Sequence, residues 1–269
     1  MEGRVSLPIS FNEGFFLKRA ISPEPPDDSL IIQEYQIDSS PRLSLTGAVG
    51  VKDEPHILLF PAEYDTRAMN EHLARGFLEK GGGLFWVDYD EYLMEKGPVG
   101  LIDVVDLTFN AYLRLKEELS ILGPLVIMGK SIGTVPAIEA MGRHEDDALC
   151  LILESAFSDT SSFLKAMGTI EEPLSEDPFS NKKKMAALKK AVLFLHSHMD
   201  SVVPIKDVEW LVCESRSKAT QFQIVPSEDR WDLVNKAGPL YFDVIWQFIG
   251  LRMGRRPRRR PRHARRQGA

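Results

Sequence analysis

The strongest constraint on this chain is the pentapeptide Gly129-Lys130-Ser131-Ile132-Gly133, entered from the apolar run Leu125-Val126-Ile127-Met128 and left through Thr134-Val135-Pro136-Ala137-Ile138-Glu139-Ala140. The first segment reads as a buried strand and the last as a helix. The chain must therefore reverse within a few residues, with a serine at the apex. A side chain at either glycine would crowd the crossing backbones, so the two glycines permit the turn. Such a turn lifts the Ser131 hydroxyl clear of the sheet and points the Ile132 N–H at whatever that hydroxyl attacks.

Short apolar runs alternate with helical patterns along most of the chain. Strands are expected at 56–60, 84–88, 125–129, 149–154, 191–196 and 221–225, and helices near 66–80, 101–122, 132–143, 206–217 and 237–250. Runs apolar on both faces and joined by helices predict a mostly parallel, doubly wound sheet covered on two sides, an α/β fold. The turn signal Ser22-Pro23-Glu24-Pro25-Pro26 and the alternating run Ile31-Ile32-Gln33-Glu34-Tyr35-Gln36-Ile37 predict antiparallel N-terminal strands at one edge. The insertion 156–190 is too short for a large cap. Ligands of such sheets bind beyond the C-terminal ends of the strands, which directs attention to the segments after Phe60, Asp88, Gly129, His196 and Val225.

At 269 residues the chain suffices for one domain, assigned to 1–250, followed by an Arg-rich, disordered tail at 251–269. Residues 252–269 hold nine arginines and no acid, leaving 24 basic against 39 acidic side chains in the remainder. The acidic body is a poor polyanion ligand, whereas the tail suits nucleic acid or anionic lipid. It differs so much from the body that a late reading-frame change would also explain it. No apolar stretch reaches eighteen residues, and the first residues lack a basic segment followed by a hydrophobic one, so neither a membrane span nor a secretory signal is expected. Cys150 and Cys213 read as small core hydrophobes, consistent with a reducing cytoplasm. No phosphate loop, dinucleotide glycine pattern or metal-ligand spacing occurs, so no cofactor and no metal are expected.

The strand, Gly-x-Ser-x-Gly turn and helix resemble the nucleophile elbow of the α/β-hydrolase superfamily, and the resemblance extends from about residue 45 to residue 250. It implies acyl-transfer hydrolysis of an ester, thioester or amide: Ser131 as nucleophile, Asp200 as the acid that orients a base, and an oxyanion hole formed by the Ile132 N–H with a backbone N–H near Ala62–Glu63. Asp200 lies in His196-Ser197-His198-Met199-Asp200-Ser201-Val202-Val203-Pro204, which looks like the family's acid loop; its plain alternative is to cap the next helix, a role Lys206-Asp207 also fits.

Three rim loops depart from the pattern. The resemblance places the triad histidine at Arg230, within Pro226-Ser227-Glu228-Asp229-Arg230-Trp231-Asp232-Leu233. A guanidinium stays protonated and cannot serve as general base, but it suits a salt bridge to Asp200. Phe60-Pro61-Ala62-Glu63-Tyr64 stands where relatives carry His-Gly, and Glu63 brings a negative charge toward the place where an oxyanion would form. Asp88-Tyr89-Asp90-Glu91-Tyr92-Leu93-Met94-Glu95 lacks the two glycines of the corresponding family loop. Lys130 reads as a generic positive charge in the elbow. Three readings stay open. The first is a largely inactive hydrolase kept for binding a ligand or protein partner in the old pocket, rimmed by Tyr64, Tyr89, Tyr92 and Trp231. The second is an active serine hydrolase of small acyl substrates using a non-standard base such as His198. The third is a scaffold whose basic tail binds polyanions.

Overall fold

The computed structural model describes residues 31–37, 43–88, 103–119, 122–172, 174–177, 179–227 and 230–255. Its strands are β1 (Gln33–Ile37), β2 (Leu43–Ala48), β3 (His56–Phe60), β4 (Gly83–Asp88), β5 (Leu125–Lys130), β6 (Ala148–Glu154), β7 (Ala191–Ser197) and β8 (Thr220–Val225). They form one sheet in the order β1-β2-β4-β3-β5-β6-β7-β8. β1 and β2 pair antiparallel, β2 joins β4 antiparallel, and every later pairing is parallel. The expected doubly wound sheet with an antiparallel N-terminal edge is present.

The helices are α1 (Arg67–Leu78), α2 (Asp103–Leu119), α3 (Thr134–Arg143), α4 (Thr160–Ala166), α5 (Asn181–Ala187), α6 (Ile205–Glu214), α7 (Leu233–Ala237) and α8 (Pro239–Arg252). Alternate residues of each central strand enter opposite cores. Leu58 and Phe60 of β3 and Ile127 of β5 pack with Phe109 and Tyr112 of α2, Val135 and Ile138 of α3, and Leu211 of α6. Ile57 and Leu59 of β3 and Val126 and Met128 of β5 pack with Phe77 of α1 and Tyr241, Ile245 and Phe248 of α8. This two-sided burial explains why the central strands read as continuous apolar runs rather than as alternating ones.

Two short helices, α4 and α5, occupy the insertion after β6. The helix expected at 237–250 is α8, which starts at Pro239; the short α7 precedes it, separated by Gly238, whose φ of 52° a side chain would disfavour. Helix α8 then continues to Arg252, and Arg255 forms a two-pronged ion pair with Glu54 at 2.8 and 2.9 Å. The first two arginines assigned to the tail thus join the described structure, while residues 256–269 lie outside the described residues. No helix among the described residues is long and apolar enough to cross a membrane.

The cysteines differ from each other. Cys150 is buried, and burial pushes its thiol up to about 12, leaving it an inert core residue. Cys213 corrects the sequence reading: it is exposed on α6, because α6 buries Val208 and Leu211 and turns Cys213 outward.

Candidate active site

Ser131 begins a one-turn 3₁₀ helix, Ser131–Gly133, that joins β5 to α3. Its φ of 48° lies in the left-handed region, which a residue with a Cβ rarely adopts. The glycines make that geometry attainable. A Cβ on Gly129 would press on Ala137 and the Gly133 carbonyl, and one on Gly133 would meet the carbonyls of Phe60 and Pro61. The elbow therefore rests directly against the end of β3, and this contact brings the loop after β3 to the serine.

Ser131 is fully buried, and the group that covers it is Glu63. The Ser131 hydroxyl donates to Glu63 Oε1 at 3.1 Å, and the Ile132 N–H donates to Glu63 Oε2 at 3.3 Å. One carboxylate thus spans the nucleophile and the N–H that would stabilise an oxyanion. Arg230 Nη2 donates to the same Oε1. The guanidinium is fully buried and Glu63 is 4% exposed, so the two charges leave water together. The Arg230 guanidinium lies 4.7 Å from the Trp231 ring centre, 5.2 Å from Tyr64 and 5.8 Å from Phe163, each near enough for a cation–π contact. Met167 Sδ lies 3.5 Å from Nη2.

The loop that presents Glu63 is closely held. The Asp65 N–H donates to the Ala62 carbonyl at 3.1 Å, closing a tight turn. Asp65 Oδ2 accepts from the Ala62 N–H at 3.0 Å, so that amide is already engaged. The Tyr64 hydroxyl donates to the Arg230 carbonyl at 3.2 Å, and Thr66 caps α1 by accepting from the Met69 N–H.

Lys130 corrects the reading of a generic charge. Its side chain is 2% exposed and donates to Asp65 Oδ1 at 2.7 Å, with Glu154 Oε1 3.6 Å away. Tyr241 of α8 donates its hydroxyl to the other oxygen of Glu154. A buried Lys–Asp–Glu–Tyr cluster therefore underlies the elbow. Burial opposes the Lys130 charge, but the Asp65 and Glu154 carboxylates outweigh it and hold the ammonium above its ordinary 10.5. Burial raises Glu154 from its ordinary range, with Lys130 partly opposing the shift. The Lys130 direction has a sign: its favourable interactions are fully present below 10.5 and are lost as pH rises through the higher folded value. Stability measured by urea denaturation is therefore expected to fall above pH 10.5, and less steeply in Lys130→Met than in the parent chain. The buried Tyr241 hydroxyl, whose ionisation burial also delays, adds to the fall in both proteins.

Asp200 and Arg230 do not form the expected ion pair. Asp200 Oδ1 instead accepts from the Val202 and Val203 N–H groups at 2.9 and 2.8 Å, which folds the loop after β7 back on itself, and its buried Oδ2 has no hydrogen-bond partner among the described residues. The guanidinium is drawn to Glu63 because the elbow positions that carboxylate on its side. Asp207 does not cap α6 either; it accepts from the Ser158 N–H at 2.8 Å and from the Ser158 hydroxyl.

His198 is exposed, and its contact is through the backbone N–H, to the Val225 carbonyl. No hydrogen bond joins it to the buried Ser131, whose hydroxyl donates to Glu63. The nearby His196 points inward: Nε2 donates to the Val203 carbonyl at 3.0 Å, while Nδ1 is buried with no hydrogen-bond partner among the described residues. Burial holds its pKa below 6.5 despite Asp200 nearby. Among the described residues no imidazole hydrogen-bonds to Ser131 or Asp200; Tyr89, Tyr92 and His263 lie outside them. Tyr64 and Trp231 do meet at the rim, edge to face at 4.5 Å. No cluster suited to a metal ion occurs among the described residues.

No model of a protein family matches the chain, and no curated protein matches it by sequence. Solved structures do. An esterase of Pyrococcus furiosus, Pf2001, superposes with a TM-score of 0.67 at 14% identity, over 87% of this chain and 97% of that one. A 2,6-dihydroxy-pseudo-oxynicotine hydrolase gives a TM-score of 0.67 at 12% identity, over 84% and 70%. Est1E from Butyrivibrio proteoclasticus gives 0.62 at 13% identity, over 82% and 99%. These superpositions take in most of the chain and, with its own sheet order, they show that this chain has the α/β-hydrolase fold.

Proposed function

We propose that this chain is a catalytically closed member of the serine acyl-hydrolase type, a pseudoenzyme retained for binding rather than turnover. The observation that supports this most directly is the Glu63 carboxylate, which engages Ser131 Oγ and the Ile132 N–H together while Arg230 balances its charge. A substrate carbonyl needs both of those groups. Its developing oxyanion would have to sit where a negative charge already lies.

The second support is the absence of an imidazole at the serine among the described residues. A serine hydroxyl attacks only when a base takes its proton, and the one carboxylate oxygen that accepts from this hydroxyl is also engaged by the Arg230 guanidinium, which competes for the electron pair a base must supply. Losing a triad base alone costs on the order of 10⁶ in kcat. Blocking the oxyanion donor costs a further factor of about 10²–10³. Cytoplasmic residence is part of this reading, supported by two cysteines that remain free.

The test is covalent. Purified full-length chain treated with a fluorophosphonate probe is expected to show no labelling at Ser131 and no hydrolysis of short-chain p-nitrophenyl esters above a Ser131→Ala control. Stoichiometric labelling that disappears in Ser131→Ala would overturn the proposal in favour of an active hydrolase.

A further inference from the structure

Three groups converge on Glu63 from different parts of the chain. Ser131 Oγ and the Ile132 N–H come from the elbow after β5, and Arg230 comes from the turn after β8. Each donates, and together they satisfy both oxygens of one carboxylate with one full positive charge. Such charge-assisted donors, held out of water, are the usual recognition elements for a carboxylate. The two elbow donors are fixed independently of their occupant, and Arg230, whose Nε and Nη1 have no hydrogen-bond partner among the described residues, is enclosed by rings. The elbow is set by its glycines and by Ser131 φ, while Arg230 is flanked by Tyr64, Phe163 and Trp231.

We infer that Ser131, the Ile132 N–H and Arg230 form a receptor for one carboxylate, filled in this chain by its own Glu63 and able to take a free small monocarboxylate once that side chain is removed. The inference rests on the closed-site reading above and adds the ligand class. Glu63 acts as a tethered ligand whose loop is held by the Asp65–Lys130 ion pair and by the turn from Ala62 to Asp65. Tethering gives it an effective concentration that free carboxylates do not match, so the parent chain should ignore them.

The experiment uses full-length Glu63→Ala with sodium acetate or sodium formate as the probe, and sodium chloride at equal ionic strength as the control. Acetate is expected to raise the unfolding midpoint of Glu63→Ala in a saturable manner, with no such rise in the parent chain. In Glu63→Ala/Arg230→Met the acetate affinity should weaken by about 10–100-fold, the worth of one hydrogen bond to a charged group. If Glu63→Ala does not fold in plain buffer, refolding in acetate against chloride becomes the readout, and acetate-specific recovery supports the receptor. No saturable acetate effect, no acetate-specific recovery, or an equal effect after Arg230→Met would overturn it. The closed-site proposal is tested separately, by probe labelling of the parent chain. Failure to bind acetate with Ser131 still unlabelled would sink only the receptor.

Discussion

Arg230→Met is expected to lower the unfolding free energy by about 3–5 kcal/mol, the usual consequence of removing one partner of a buried ion pair. The reason is what remains behind. Glu63 is 4% exposed and would keep only a hydroxyl and a backbone N–H as partners. It must then stay ionised without a counter-charge or bind a proton, and either course is costly in a site sealed from water. The control is Glu63→Gln/Arg230→Met, in which no charge is stranded; its loss should be much smaller than that of Arg230→Met alone. Urea denaturation of the three proteins at pH 7 measures this. A single variant within about 1 kcal/mol of the parent would mean that the pair contributes no more than a surface salt bridge does.

This pair also marks the boundary of what the amino-acid order reveals. The elbow, the central strands β3 to β7 and the antiparallel edge are legible because each depends on local pattern: runs apolar on both faces, glycines at a reversal, alternation in Tyr35 and its neighbours. Glu63 is legible in part, since the loop after β3 must abut the elbow in this fold. Its partner is not. Arg230 and Glu63 are 167 positions apart, and the choice between Asp200 and Glu63 as counter-ion depends on where two loops settle. Lys130 illustrates the same limit. Nothing in Gly129-Lys130-Ser131 indicates that its ammonium is buried between Asp65 from one loop and Glu154 from the adjacent strand. The one available signal is register: Val126, Met128 and Lys130 share a face of β5, and the first two enter the core beneath α1 and α8. A lysine continuing that face must either reach solvent or find carboxylates, and at the C-terminal end of a central strand it finds two. Cys213 fails for the reverse reason, because on an amphipathic helix one position decides between core and solvent.

Restoring reactivity should require two changes, and Glu63→Gly/Arg230→His is expected to make Ser131 react with a fluorophosphonate, whereas each single change leaves it inert. Glu63→Gly alone frees the Ile132 N–H and uncovers the hydroxyl, worth about 10²–10³ as an oxyanion donor, but leaves a permanent cation and no base beside the serine. Arg230→His alone supplies an imidazole, worth about 10²–10⁴ as a general base, but Glu63 still occupies the hydroxyl and the N–H. The two obstacles are of different kinds, so removing both should give a gain on the order of 10⁴ or more in labelling rate over the parent chain. The acid loop supplies an internal check. Asp200 is fixed through Oδ1 by two N–H groups, while its buried Oδ2 has no hydrogen-bond partner among the described residues and can accept from an imidazole N–H. Adding Asp200→Ala to the double variant should therefore remove much of the gain, because the imidazole loses its orienting partner. Reaction of the double variant that persists unchanged without Asp200 would show that the loop after β7 takes no part. No reaction in any variant that folds would show that the rim has changed beyond these two side chains.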